Sequence, residues 1–287
     1  MPTSPSPSPS SSSFSSFSSP FSSSPSSFFS GLPSRAQVAA VLRTAGCVFA
    51  EEEAELLLAD ARTPDELAAL VARRVAGLPL EQVLGWAEFH GLRIAVEPGV
   101  FVPRRRTEFL VDQAAARVPD ASVVVDLCCG SGAVGVALAA VLGPLELHAA
   151  DIDPVAVRCA RRNAAPVNGT VHTGDLFAAL PGELRGRVDI LAANVPYVPT
   201  REIGLLPPEA REHESLIALD GGADGLDVLR RVAAEAPAWL APGGCLLAET
   251  SGRQAPKALA VLARAGLTAC LAVSEDLCAH VVVGTRQ

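Results

Sequence analysis

The run Asn194-Val195-Pro196-Tyr197 closes an apolar stretch, Val188 to Ala193, and gathers the groups needed to hold a planar NH2 group. The nitrogen of an amide or an aniline is a poor nucleophile because its lone pair is delocalised. Attack on an activated methyl then needs little prior proton removal. It needs orientation: two acceptors on the two N–H bonds, so that the lone pair points at the methyl. Asn194 offers a side-chain oxygen and Val195 a main-chain carbonyl. Pro196 biases Val195 towards extended backbone and stiffens the loop. Tyr197 offers a ring on which a planar acceptor can pack, and a π-face for a nearby cation. Alone, such a run is more often an ordinary turn after a strand. It becomes informative beside a segment that can deliver the methyl.

That segment is Asp126-Leu127-Cys128-Cys129-Gly130-Ser131-Gly132. Gly130 to Gly135 satisfies G-x-G-x-x-G between a strand and a helix, where glycines let backbone approach a ligand closely. The pattern suits a dinucleotide site as well as a methyltransferase site. Asp126 decides between them. A carboxylate at the strand's end repels a pyrophosphate and suits the cationic methionine moiety of S-adenosylmethionine. Cys128, Cys129, Gly130, Ser131 and Gly132 then form the cofactor turn, and Asn194 is expected to touch the cofactor as well as the acceptor. Roughly 20 residues on, Asp151 ends the next apolar strand, where an acid accepts from ribose hydroxyls. Asp153 reads as the cap of the helix beginning at Pro154. Asp175 ends a further strand and is placed to accept from the adenine amino group, with Leu176 or Phe177 on the ring. An N-cap role for Asp175, with core neighbours, fits equally well.

The elements that must carry these groups alternate. Apolar strands run over 122–127, 145–150, 188–193 and 245–249. Helices run over 133–142, 154–164, 226–240 and 255–265. Segments 268–273 and 280–283 close the chain as an antiparallel pair. Continuous apolar strands alternating with helices imply a mostly parallel sheet covered on both faces. Ahead of it, residues 34–86 have helical period, with Thr63-Pro64 as a helix start and Gly77 and Pro79 as a stop. Residues 87–103 read as a β-hairpin linker: an arm from Phe89 to Val96, a turn at Pro98-Gly99, and an extended Val100-Phe101-Val102. The catalytic domain is expected over 104–287. Residues 1–33 are almost entirely Ser, Pro and Phe, and are expected to form a disordered, dispensable tail.

Composition narrows the functional classes. The chain has 287 residues, is 49% hydrophobic and carries a formal net charge of −8, with no basic block. That argues against a broad phosphate-tracking surface. Arg104, Arg105 and Arg106 suit either an acidic partner or a solvated face. None of the seven cysteines forms a Cys-x-x-Cys pair, and no His/Cys cluster has zinc spacing, so no metal site is expected. Cysteines in apolar runs point to a reducing, cytoplasmic setting. No apolar run reaches the ~18 residues of a membrane span.

From Arg35 to the C-terminus the chain resembles the HemK-type protein glutamine methyltransferases. The motifs that carry the resemblance are Val83 to Leu92, Val102-Pro103-Arg104 with Thr107-Glu108, the glycine turn, Asp151, and Asp175-Leu176-Phe177. The Asn194 loop, Leu219 to Leu226, Pro242-Gly243-Gly244 and Glu249 extend it. The resemblance implies a class I, Rossmann-like S-adenosylmethionine-dependent methyltransferase with a seven-stranded sheet, its last strand antiparallel, and a small N-terminal helical domain for substrate recognition. It implies methylation of the side-chain amide nitrogen of a glutamine in a protein, a peptide-chain release factor in the family. Val195 stands where the family has a first proline, Cys128 where it has its first turn glycine, and Arg105-Arg106 replace a proline and an acid. Two other readings use the same residues. An amino methyltransferase for adenine or guanine fits the Asn194 loop, but acidic charge opposes a nucleic-acid partner. An NAD-binding or non-catalytic domain conflicts with Asp126. Glu249, Asp224 and Asp227 read as structural.

Overall fold

The chain is described here by a computed structural model covering residues 33–287; the tail expectation falls before these and lies outside the described residues. Four helices come first: α1 (Arg35–Thr44), α2 (Ala50–Asp60), α3 (Pro64–Val75) and α4 (Leu80–Leu84). Ser34 and Gln37 start α1 by exchanging side-chain-to-backbone hydrogen bonds, a capping box. Thr63 caps α3 through the Glu66 N–H, with Pro64 in the first turn. Val38, Leu42, Leu57, Leu67 and Val71 form a small core of their own. Within it Arg74 makes a two-pronged contact to Glu53, at 2.6 and 3.1 Å.

The hairpin differs from the expectation. Its arms are β1 (Trp86–Phe89) and β2 (Leu92–Ala95), with Phe89 opposite Leu92. The turn is His90-Gly91, both with positive φ (+50° and +72°), as a two-residue hairpin turn requires. Pro98-Gly99 follows the hairpin instead of forming it. The alternation Leu92, Ile94 is therefore one arm, and the other arm begins at Trp86, a residue assigned above to the helical segment.

The remaining apolar runs pair into one seven-stranded sheet. It comprises β3 (Val123–Leu127), β4 (Glu146–Asp151), β5 (Thr170–Thr173), β6 (Val188–Ala193), β7 (Leu240–Thr250), β8 (Thr268–Ser274) and β9 (Ala279–Thr285). The order is β5-β4-β3-β6-β7-β9-β8, and β9, the last strand, runs antiparallel to both its neighbours. The fold is the expected class I architecture. Helices cover both faces, as the unbroken apolar strands demand. Val124 of β3 packs with α5 (Glu108–Arg117), α6 (Ala133–Leu142) and α7 (Pro154–Ala164). Val123, Val125 and Leu127 face the core of α10 (Asp227–Trp239) and α11 (Ala255–Arg264) on the other side. Strand β7 starts five residues earlier than expected because Pro242-Gly243-Gly244 are absorbed into it, with an irregular register against β6.

Chain order reverses between β3 and β6. In such sheets the crevice beyond the strand ends at the reversal is where ligands bind. Leu127 lies opposite Ala193 in register, so the glycine turn and the Asn194 loop leave the sheet side by side. Two short helices, α8 (Pro208–His213) and α9 (Leu216–Leu219), pass over this edge. Among the described residues no helix is long and apolar enough to cross a membrane.

Candidate active site

A cavity of about 470 Å³ occupies that crevice, within the ordinary range for small-molecule sites. On one side it is lined by Asp126, Cys128, Cys129, Gly130, Ser131 and Asp151, and on the other by Asn194, Val195, Pro196 and Tyr197. Pro79 and Glu81 of the helical segment also line it, as do Phe101 and residues of α8 and α9 such as Glu209 and Leu219.

Backbone geometry shapes the first side. Cys128, Gly130 and Gly132 have positive φ (+54°, +56° and +78°), so the chain curls tightly off β3. Gly132 itself does not line the cavity; it starts α6, where a Cβ would sit 3.2 Å from that of Ala160. The Gly130 and Asp153 N–H groups donate to the two oxygens of Asp151, each at 2.9 Å. Asp153 caps α7 by accepting from the Val155 N–H. Asp126 is buried, and one of its oxygens accepts from the Gly135 N–H at 2.9 Å. Burial pushes its pKa up to about 7; the Asp151 charge acts in the same sense and the Gly135 N–H against it. Burial also raises Asp151 and holds the Cys128 thiol in its neutral form. A cation favours the ionised form of two carboxyls that burial makes reluctant to ionise, and in that form they repel a phosphate. The donor set therefore fits S-adenosylmethionine: Asp126 for its cationic end, Asp151 for a ribose diol.

Asp175 and Leu176 stand apart. Neither lines the cavity. Asp175 is half-exposed and takes Arg231 at 2.6 Å, and its side chain makes no cap bond. Leu176 is buried in the core with φ +48°. Phe177 stacks on Trp239, with ring centroids 5.2 Å apart.

On the opposite side Asn194 is half-buried, and its side chain makes no hydrogen bond among the described residues. The loop is braced from behind. Val198 N–H donates to the Leu219 carbonyl at 3.0 Å, and Gly221 N–H to the Val198 carbonyl at 2.9 Å. Gln254 Nε2 donates to the Tyr197 carbonyl at 2.8 Å and to that of Asp224 at 3.0 Å. The Tyr197 hydroxyl donates to Glu249 Oε1 at 2.8 Å and accepts from Arg106 Nη2 at 2.8 Å. Arg106 Nε reaches the same carboxylate at 2.7 Å. Burial, reinforced by the Glu249 charge and opposed by Arg106, holds the phenol above its usual pKa.

Three of these groups do not stand out in the sequence. There Glu249 reads as structural and Arg106 as one of a basic triplet, and Thr107, which donates to Glu249 Oε2 at 2.5 Å, is part of a motif only. The signal for Glu249 was present: it is a lone acid closing an apolar strand, as Asp126 and Asp151 are. Arg104 and Arg106 both turn to buried carboxylates, Glu214 at 2.6 Å and Glu249 at 2.7 Å. Arg105 is exposed.

Comparison with known proteins agrees with this architecture. Residues 91–204 match the methyltransferase small domain. The chain is 40% identical over 228 residues to a release factor glutamine methyltransferase of Geobacter sulfurreducens, covering 78% of this chain and 79% of that one. It is 39% identical over 193 residues to a 4-amino-L-phenylalanine/4-methylamino-L-phenylalanine methyltransferase of Streptomyces pristinaespiralis, covering 64% and 65%. A 16S rRNA methyltransferase of T. thermophilus, solved with AdoMet and guanosine, superposes with a TM-score of 0.50 at 21% identity over 70% of this chain and 50% of that one, a likeness of fold. The expected fold and the expected cofactor, S-adenosylmethionine, are borne out. Identical at 40% of positions over more than two thirds of such a relative, the chain belongs to the release factor glutamine methyltransferase family.

Proposed function

We propose that this protein methylates the side-chain amide nitrogen of a glutamine in a peptide-chain release factor. One observation carries the reading. Asn194 offers a carboxamide unengaged among the described residues, next to the Val195 carbonyl, on a braced loop that shares one cavity with the glycine turn. S-adenosylmethionine supplies the methyl when bound. Asn194 Oδ1 and the Val195 carbonyl each accept one N–H of the glutamine amide, which turns the nitrogen lone pair towards the cofactor side of the cavity. The Tyr197 hydroxyl, committed to Glu249 and Arg106, is not a base; its ring packs on the planar amide. Asp126 and Asp151 hold the cofactor from the other wall, and the helical segment 34–86 receives the protein around the glutamine.

An aromatic amine has the same planar, delocalised nitrogen, and the Streptomyces pristinaespiralis relative gives that second reading its support. The test is methyl transfer from labelled S-adenosylmethionine to a release factor of the same cell, read by peptide mass spectrometry. A single methyl on a glutamine side chain is expected. A release factor left without a methylated glutamine, with 4-amino-L-phenylalanine methylated instead, overturns the reading.

A further inference from the structure

We propose that Glu249 is a positioning residue of the acceptor site, clamping the Tyr197 hydroxyl and Arg106 so that only the tyrosine ring is offered to the acceptor. This rests on the reading of the Asn194 loop given above.

Glu249 closes β7, is 2% exposed, and does not itself line the cavity. It touches three groups that do: Arg106, Thr107 and Tyr197. The three come from two separate stretches of chain and converge on one carboxylate, at 2.7, 2.5 and 2.8 Å. Arg106 also donates to the tyrosine oxygen at 2.8 Å, so arginine, tyrosine and glutamate form a closed triangle. A buried carboxylate is costly unless it is paired and hydrogen-bonded, and here every donor that satisfies it belongs to the cavity wall. The triangle uses the phenol's proton and receives one from Arg106. The hydroxyl is thereby kept from competing for the acceptor amide, whose hydrogen bonds are left to Asn194 and Val195. Arg106, half-exposed and long, is held against the wall instead of extending into solvent.

A property of the sequence makes this directly measurable: Tyr197 is the protein's single tyrosine. Tyrosinate absorbance therefore reports on this hydroxyl alone, since the two tryptophans do not ionise in the same range. In the wild-type protein no tyrosinate is expected while the fold persists, as followed by far-UV circular dichroism. In Glu249→Gln the carboxylate's repulsion is gone and Arg106 remains, so the folded protein should ionise Tyr197 at a pH lower by about one unit or more. The same variant should raise the acceptor KM about tenfold, the scale for a lost charge-assisted contact, and leave S-adenosylhomocysteine affinity unchanged by calorimetry. A titration and an acceptor KM both equal to wild type overturn the proposal. So does a fall in S-adenosylhomocysteine affinity as large as the change in KM, which marks a general loss of the site. Should Glu249→Gln not fold, Arg106→Met decides: its acceptor KM should rise about tenfold at unchanged S-adenosylhomocysteine affinity, and an unchanged KM overturns the clamp. The titration needs no acceptor. A wild-type protein that methylates no glutamine therefore defeats the functional reading, while the clamp is still judged by its own measurement.

Discussion

At the scale of single residues, the cavity is defined by polar groups whose environments differ sharply. Asp126 is buried with one backbone donor, and its pKa stands near 7 against an ordinary 3.8. A pKa raised on folding makes the neutral form the favoured one. The stability it contributes is complete below the unfolded value and is lost as pH rises through the folded value. Asp126→Asn keeps an acceptor for the Gly135 N–H and cannot ionise. Its melting temperature should exceed that of wild type at about pH 8, and the gap should close at about pH 4. A cationic cofactor reverses the preference, so wild-type affinity for S-adenosylmethionine should strengthen between about pH 6 and pH 8, and that of Asp126→Asn should not. Calorimetry across pH checks both halves. Asn194 makes the opposite case, a polar side chain with no hydrogen-bond partner among the described residues. Asn194→Ala should cut turnover by ~10²–10³-fold, the scale for one preorganised contact in a transition state, with S-adenosylhomocysteine affinity intact. A loss below tenfold would remove Asn194 from the orienting role.

At the scale of elements, the acceptor loop owes its shape to the segment behind it. Leu219 to Leu226, a motif in sequence without an evident task, is the brace. Gly221 and Gly225 let it lie against the loop: a Cβ at Gly221 would come within 2.7 Å of the Pro196 carbonyl, and one at Gly225 would overlap the Tyr197 carbonyl and Gln254. Gly225 also has φ +77°, a region that costs other residues about 1–3 kcal/mol. Gly225→Ala should therefore push the loop out of place. We expect a lower melting temperature and a larger loss in acceptor turnover than in S-adenosylhomocysteine affinity. Equal losses in the two would show that the brace serves the whole crevice and not the loop.

At the scale of the whole molecule, the helical segment is built into the cavity as well as attached to it. Pro79 and Glu81 line the wall. Arg74 ties Glu53 inside the helical core to Glu209 on α8, at 2.7 Å, and the Gln82 side chain donates to the His213 carbonyl at 3.1 Å. Arg74 is 8% and Glu53 10% exposed at the side chain. Breaking a buried pair from one end leaves the other charge uncompensated, so Arg74→Ala should cost about 3–5 kcal/mol by denaturant unfolding. Because α8 loses one of its two ties to the helical segment at the same time, the acceptor KM should rise together with the loss of stability. A normal acceptor KM in the folded fraction would confine Arg74 to a structural role.

The amino-acid sequence by itself determined the alternation of strands and helices, the covered parallel sheet, and the two loops that meet in the crevice. These are local matters: apolar period, a proline after Val195, glycines where φ must be positive, acids at strand ends. Sequence spacing also picked out Asp153 as a helix cap, although both Asp151 and Asp153 line the cavity. It did not place the hairpin turn, because His90-Gly91 is a quieter signal than Pro98-Gly99. It gave no hint that Asp175 pairs with Arg231. Glu249 lies 52 residues from Tyr197 and 143 from Arg106 along the chain. Nothing in residue type or spacing joins them. Only the packing of β7 beside β6, with the residues just before α5 laid against them, brings three distant side chains within hydrogen-bonding reach, and that is a decision of tertiary structure.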